Sequence, residues 1–158
     1  MAENLEISEG SKNDKYELLY KQIKGLGEVE QDSIAFMANA CAMIHSTFQF
    51  LWTGFYRVKD GMLVLGPFQG SLACTRIAYG KGVCGTAWRE GRTLIVDDVE
   101  AFPGHIACSG DSRSEIVVPV IFEGEVKGVL DIDSDELSTF DQVDAMWLER
   151  IVAVMPKW

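Results

Sequence analysis

The chain has 158 residues, 14 Lys+Arg against 24 Asp+Glu, and a formal net charge of −10. Nucleic acid and anionic membrane surfaces need clustered Lys and Arg, so neither is expected as a partner. A hydrophobic fraction of 47% with 24% charged residues describes a globular domain, and a second core is not expected at this length.

Residues 1–13 are rich in Glu, Ser, Lys and Gly and read as a frayed tail ahead of a single domain over 14–158. The opening residues lack the apolar core of a signal peptide, and no stretch approaches the length of a membrane span, so a cytoplasmic protein is expected. From Lys15 to Lys24, Tyr16, Leu18, Leu19, Tyr20 and Ile23 recur at helical spacing, and Gly25 and Gly27 are expected to stop the helix. A second helix starts near Gln31, capped by Asp32 or Ser33. Its apolar stripe is Ile34, Phe36, Met37, Ala40, Cys41, Ile44 and Phe48.

Leu51–Val58 reads as a strand, Asp60-Gly61 as a hairpin turn, and Met62–Leu65 as the returning strand, broken by Gly66-Pro67. A short strand over Leu72–Ile77, a short helix over Val83–Glu90 and a small strand over Thr93–Val96 follow within a glycine-rich stretch. Residues 97–114 form an irregular loop, long enough to suggest function. Ile116–Phe122 and Val126–Ile132 pair across Glu123-Gly124. An amphipathic helix over Phe140–Met155 presents Val143, Met146, Trp147, Ile151 and Val154 on one side. These elements predict an α+β domain with an antiparallel sheet and helices on one face.

Four cysteines in a cytoplasmic chain are core filler, metal ligands or redox groups rather than a disulfide framework. Cys41 falls in an apolar helix stripe and reads as core. Cys74, Cys84 and Cys108 lie beside Gly, Ser or Thr in the segments that punctuate the fold. Cys84 opens a predicted helix, whose free N–H groups favour a thiolate, and His105 and Arg113 are near enough in sequence to do the same for Cys108. Zinc is a weak rival, since there is no CxxC pair and only two histidines, although a Cys₃His set exists on count. A Cys/His nucleophile of the protease kind leaves two loop cysteines unexplained. A thiolate that reduces an oxidised substrate, with a second thiol to capture the sulfenic acid, accounts for all three. The residues alone leave this redox reading level with three small structural side chains.

Strand alternation sends Leu130 and Ile132 to one face and Asp131 and Asp133 to the other. Two carboxylates on one face repel, and each raises the other's pKa unless a cation or a proton lies between them. Across the predicted hairpin Glu115 falls opposite Asp131–Asp133, so three carboxyls gather at one end of the sheet. Trp52 opens the first strand, where an indole is either core or the wall of a pocket for a methyl-sulfur group or an ammonium.

The runs Trp52-Thr53-Gly54-Phe55-Tyr56, Leu65-Gly66-Pro67-Phe68-Gln69-Gly70 and Gly80-Lys81-Gly82-Val83-Cys84-Gly85 resemble the free methionine-(R)-sulfoxide reductases. So do His105-Ile106-Ala107-Cys108, Ser114-Glu115-Ile116-Val117 and Gly128-Val129-Leu130-Asp131-Ile132-Asp133-Ser134, and the likeness extends from about Ile34 to Ile151. The resemblance implies a GAF-type fold with about six strands, a cytoplasmic enzyme acting on the free amino acid, often a homodimer, and no metal or organic cofactor. It implies that Cys108 attacks the sulfoxide, that Cys74 closes a disulfide with it, that thioredoxin restores the thiols, and that Cys84 is auxiliary. Glu115 and Asp133 would meet the sulfoxide oxygen. Asp131 would hold their protons or face the substrate amine, and Trp52 and Tyr56 would line the pocket. Two other readings share the fold: a non-catalytic GAF sensor for a cyclic nucleotide or similar molecule, and a redox-sensing interaction protein.

Overall fold

A computed structural model describes residues 4–158. Four α-helices and six strands run in the order α1 (Lys12–Val29), α2 (Ser33–Phe48), β1 (Trp52–Lys59), β2 (Met62–Gln69), β3 (Arg76–Ala78), α3 (Gly82–Glu90), β4 (Leu94–Val96), β5 (Ser114–Phe122), β6 (Glu125–Ser134) and α4 (Gln142–Ala153). A single 3₁₀ turn, Val99–Ala101, interrupts the loop before β5. The strands form one antiparallel sheet in the order β3-β2-β1-β6-β5-β4. No helix among the described residues is long and apolar enough to cross a membrane.

The two faces of the sheet have different cores. Phe55, Ile116, Val118, Leu130 and Ile132 pack against α1, α2 and α4. Their strand neighbours Trp52, Tyr56, Val117 and Val129 point the other way, into a smaller cluster closed by Val83, Cys84 and Ala87 of α3. Period-two alternation in β1, β5 and β6 therefore feeds two apolar layers at once. Cys41 is fully buried in the first layer, as its helix stripe predicts.

Several boundaries differ from the sequence reading. The helix α1 starts at Lys12, behind a Ser11–Asp14 capping box, so residues 12 and 13 belong to the fold. Glu6 exchanges backbone hydrogen bonds with the Gln22 side chain, which ties down part of the expected tail; its residues 1–3 lie outside the described residues. The same helix runs through Gly25 and Gly27 to Val29. A Cβ at Gly27 would lie 2.8 Å from the Val154 carbonyl and 3.2 Å from the Phe36 ring, so helix packing uses the missing side chain and outweighs the propensity cost. The Gly66-Pro67 pair does not break β2. A bulge there lets the strand leave register between Gly54 and Tyr56, and the proline needs no ladder donor. The third strand is confined to Arg76–Ala78. Ile34 and Met146, assigned to apolar stripes, are exposed, and Leu148 and Asp144 are buried in α4.

Asp144 is 1% exposed and fastens α4 to α1. The Tyr16 hydroxyl donates to its Oδ1 at 2.5 Å, and Lys12 Nζ meets its Oδ2 at 2.8 Å. Replacing it leaves a buried hydroxyl without an acceptor and removes a capping box. Asp144→Ala is expected to cost about 2–3 kcal/mol of unfolding free energy in denaturant titration, within the range for hydrogen bonds to charged groups. A loss below the error of extrapolation would mean that the network only decorates the α1–α4 contact.

Candidate active site

The α3 side of the sheet holds a partly open cavity. Trp52 and Tyr56 of β1, Glu115 of β5, and Asp131 and Asp133 of β6 line its floor and wall, with Lys81–Cys84 at the start of α3. His105, Ile106, Cys108, Ser109 and Ser112 close it from the loop that precedes β5, and Leu72 and Ala73 from the loop before β3. Backbone pairing sets this arrangement. Glu115 lies opposite Asp133, which lies opposite Trp52; Asp131 lies between Val117 and Gly54. The three carboxyls thus occupy adjacent positions on one face of the central strands, as the hairpin reading anticipates.

Gly54 has a steric role here. A side chain at this position would collide with the Trp52 ring and with Phe68, so its absence lets the indole fold across the strand. The ring stacks on Phe68 at 5.3 Å between centroids, and its Nε1 donates to the Ser71 carbonyl at 3.0 Å. The indole is therefore held at both ends, with its body at the cavity.

Cys74 and Cys108 form a disulfide at the edge of the cavity, which Cys108 lines, with Cα atoms 5.4 Å apart and a sequence separation of 34. The Tyr56 hydroxyl donates to the Cys74 carbonyl at 2.9 Å, anchoring one half of the bridge to β1. The other half sits on the long loop, whose ends are pinned by Val99 N–H to the Arg113 carbonyl and Arg113 N–H to the Ser134 carbonyl. Ile106 reaches across to Gly82, where a Cβ would lie 3.1 Å from its side chain. Arg113 does not line the cavity, so among the candidate cations for Cys108 only His105 faces the same space.

The cavity is hostile to negative charge. Burial pushes the Glu115 carboxyl well above its ordinary range, and Asp131 and Asp133 add to the effect. Burial also raises Asp133 strongly, followed by the charge of Asp131, while the Ser112 hydroxyl opposes the shift by donating to its Oδ1 at 3.1 Å. Asp131 is raised by burial, moderated by its neighbours Glu115, Cys84 and His105. Carboxyls raised in this way hold protons more tightly than exposed ones, and such a group can donate to an oxygen placed among them. Cys84 corrects the sequence reading. It does open α3, but burial and the three carboxyls push its thiol well above the usual range, and this outweighs the helix terminus. It remains a free thiol, as does Cys41.

The cavity thus brings together the residues assigned to catalysis or substrate binding in sequence except Cys74, which is tied to it through its bond to Cys108. Ser112 had no part in the sequence reading, and Lys81 and Ile106 stood in its motifs without a role. Ser112 is one polar residue in a polar loop, and only the fold shows that it faces Asp133. Among the described residues, Cys84, Glu115 and Asp131 have the donor types and proximity to hold a cation, with ligand atoms within 4.8 Å of one another.

Residues 31–155 match the family model for the GAF domain. The chain is 54% identical over 156 residues to GAF domain-containing protein A of Dictyostelium discoideum, covering 98% of this chain and 99% of that one. It is 40% identical over 148 residues to the free methionine-R-sulfoxide reductase of Escherichia coli, covering 93% and 90%. The X-ray structure of free methionine-R-sulfoxide reductase from Neisseria meningitidis, in complex with its substrate, superposes with a TM-score of 0.94 at 46% identity, covering 96% of this chain and 92% of that one. The chain belongs to the GAF domain family and, within it, to the free methionine-R-sulfoxide reductases.

The raised carboxyls have a consequence for stability. The folded state keeps protons that the unfolded chain releases near pH 4–4.5. Their stabilisation is complete below the unfolded range and is lost as pH rises through the folded values. Glu115→Gln, which keeps shape without charge, should therefore melt higher than the parent at pH 8, by roughly 2–4 °C per kcal/mol relieved. The gap should close towards pH 4.5. A lower melting temperature at pH 8 would mean that Glu115 is charged and paired.

Proposed function

We propose that the protein reduces free L-methionine-(R)-sulfoxide to methionine, with the chemistry at Cys108. The observation that carries this reading is the Cys74–Cys108 bridge beside a cavity lined by three buried carboxyls, whose pKa values burial raises. A sulfoxide is a poor electrophile until its oxygen is protonated or hydrogen-bonded. Glu115 and Asp133 supply that proton, and Asp131 holds the shared proton or faces the substrate ammonium. Trp52, backed by Tyr56, offers an apolar wall to the methyl group on sulfur. The substrate carboxylate is met by the amides that open α3 and by Lys81.

In the reduced enzyme the Cys108 sulfur attacks the sulfoxide sulfur. The S–O bond of the substrate breaks, its oxygen ends on Cys108 as a sulfenic acid, and methionine leaves. The substrate sulfur has gained two electrons and Cys108 has lost two. The Cys74 thiol then attacks the sulfenic sulfur, forming the disulfide and releasing water. An external dithiol, thioredoxin in this reading, takes the bridge back to two thiols by exchange. Cys84, buried and held as a thiol, stands beside the carboxyls as an auxiliary group rather than the attacking one. A cytoplasmic setting and a homodimer belong to the same reading, through the requirement for a reducing compartment and the family likeness.

The deciding assay is methionine release from free methionine-(R)-sulfoxide under dithiothreitol or thioredoxin, with the (S) epimer and a peptide-bound sulfoxide as controls. Turnover of the free (R) form alone is expected. No turnover with protein shown to carry reduced thiols would leave a GAF binding module in search of its ligand. Cys108→Ser is expected to abolish turnover, and Cys41→Ser, whose thiol lies in the opposite core, to leave it nearly unchanged. Equal losses would overturn the division of the cysteines. Glu115→Gln is expected to lower kcat by about 10²–10⁴, the usual worth of a general acid, with a smaller change in KM. A change confined to KM would assign Glu115 to binding.

A further inference from the structure

On the cavity floor Cys84, Glu115 and Asp131 present a sulfur and two carboxyl oxygens, all within 4.8 Å of one another. They come from α3, β5 and β6, so the fold rather than local sequence assembles them. None is more than 6% exposed. A second observation is independent of this proximity. Asp131 Oδ1 is buried and accepts no hydrogen bond, although its side chain lines the cavity. A buried acceptor without a partner costs about 1–3 kcal/mol unless a ligand meets it. Among the described residues, no lysine, arginine or histidine forms an ion pair with Glu115 or Asp131.

We propose that Cys84, Glu115 and Asp131 form a binding site for a thiophilic divalent cation, zinc by the chemistry of its donors, on the floor of the substrate cavity. Zinc takes thiolate and carboxylate ligands together in four-coordinate geometry, and three protein ligands leave its fourth position open to the cavity. Magnesium and calcium take oxygen ligands and have no use for the sulfur. Cys84 binds as thiolate and Glu115 and Asp131 as carboxylates, the protons they carry pass to solvent, and no oxidation state changes. Neither Cys74 nor Cys108 takes part, so the site exists while the disulfide is closed. A bound ion occupies two carboxyls assigned to the substrate, so cation and amino acid exclude each other. That consequence rests on the reductase reading; the site itself does not.

Cobalt(II) serves as the spectroscopic probe for zinc. Oxidised protein, shown by thiol counting after denaturation to carry two free thiols, is titrated with cobalt. A near-ultraviolet thiolate-to-cobalt charge-transfer band should grow to one cobalt per chain and vanish on addition of zinc. It should be absent in Cys84→Ser of unchanged circular dichroism and intact in Cys41→Ser. Glu115→Gln should weaken cobalt binding by at least about tenfold, since even outer-sphere changes cost 10–100-fold. No band in the parent, a band that survives Cys84→Ser, or an affinity indifferent to Glu115→Gln overturns the site. Free methionine sulfoxide should lower the apparent cobalt affinity, and indifference to it overturns the mutual exclusion. Because the band is read without turnover, its failure is distinct from failure of the reductase assay.

Discussion

The register of the β5–β6 hairpin is the constraint on which the site depends. Glu123 and Gly124 both have positive φ and form a two-residue turn, so Phe122 pairs with Glu125 and Ile121 with Val126. Continued unchanged, that register would place Glu115 opposite Ile132. A bulge at Lys127 shifts the ladder by one residue, Val120 pairs with Gly128, and Glu115 meets Asp133. Paired residues in an antiparallel ladder share a face, so the shift by one decides whether the carboxyls converge or separate. The helical core records the same choice from the other side, since Ile116, Leu130 and Ile132 reach it only in this register.

Burying three carboxyls together opposes folding at neutral pH, and the architecture concentrates that cost where protons are useful. The carboxyls belong to β6 and its neighbour β5, both interior strands of the sheet, on the face that α3 covers. The cysteines differ in kind. Cys84 is fixed beside the carboxyls, whereas Cys74 and Cys108 come from loops on either side of the cavity. A site with a fixed acid group and a thiol pair on loops separates the part that must stay preorganised from the part that must change partners during a redox cycle.

Much of this was legible in the chain, for local reasons. Alternation in Leu130-Asp131-Ile132-Asp133 assigns faces without reference to any other strand, and Asp60-Gly61 and Glu123-Gly124 announce their turns. Loop cysteines stand apart from Cys41 by their neighbours alone. The failures share a cause, which is close approach between distant segments. Gly27 reads as a helix stop until Val154 and Phe36 press against it, and Gly66-Pro67 reads as a break until β1 supplies the facing strand. The thiol of Cys84 reads as activated from its helix position, and only the carboxyls brought to it by β5 and β6 reverse the sign. Ser112 had no signal of its own.

The sequence by itself determined the element types, the faces of the strands and the chemical inventory of the site, because periodicity, turn chemistry and residue type act within a few positions along the chain. Tertiary structure decided the bulge that sets the final register between β5 and β6, the geometry that lets Cys74 meet Cys108, and the burial that raises the carboxyls. Each of these depends on contacts between segments far apart in sequence and on the exclusion of water, which no local pattern encodes.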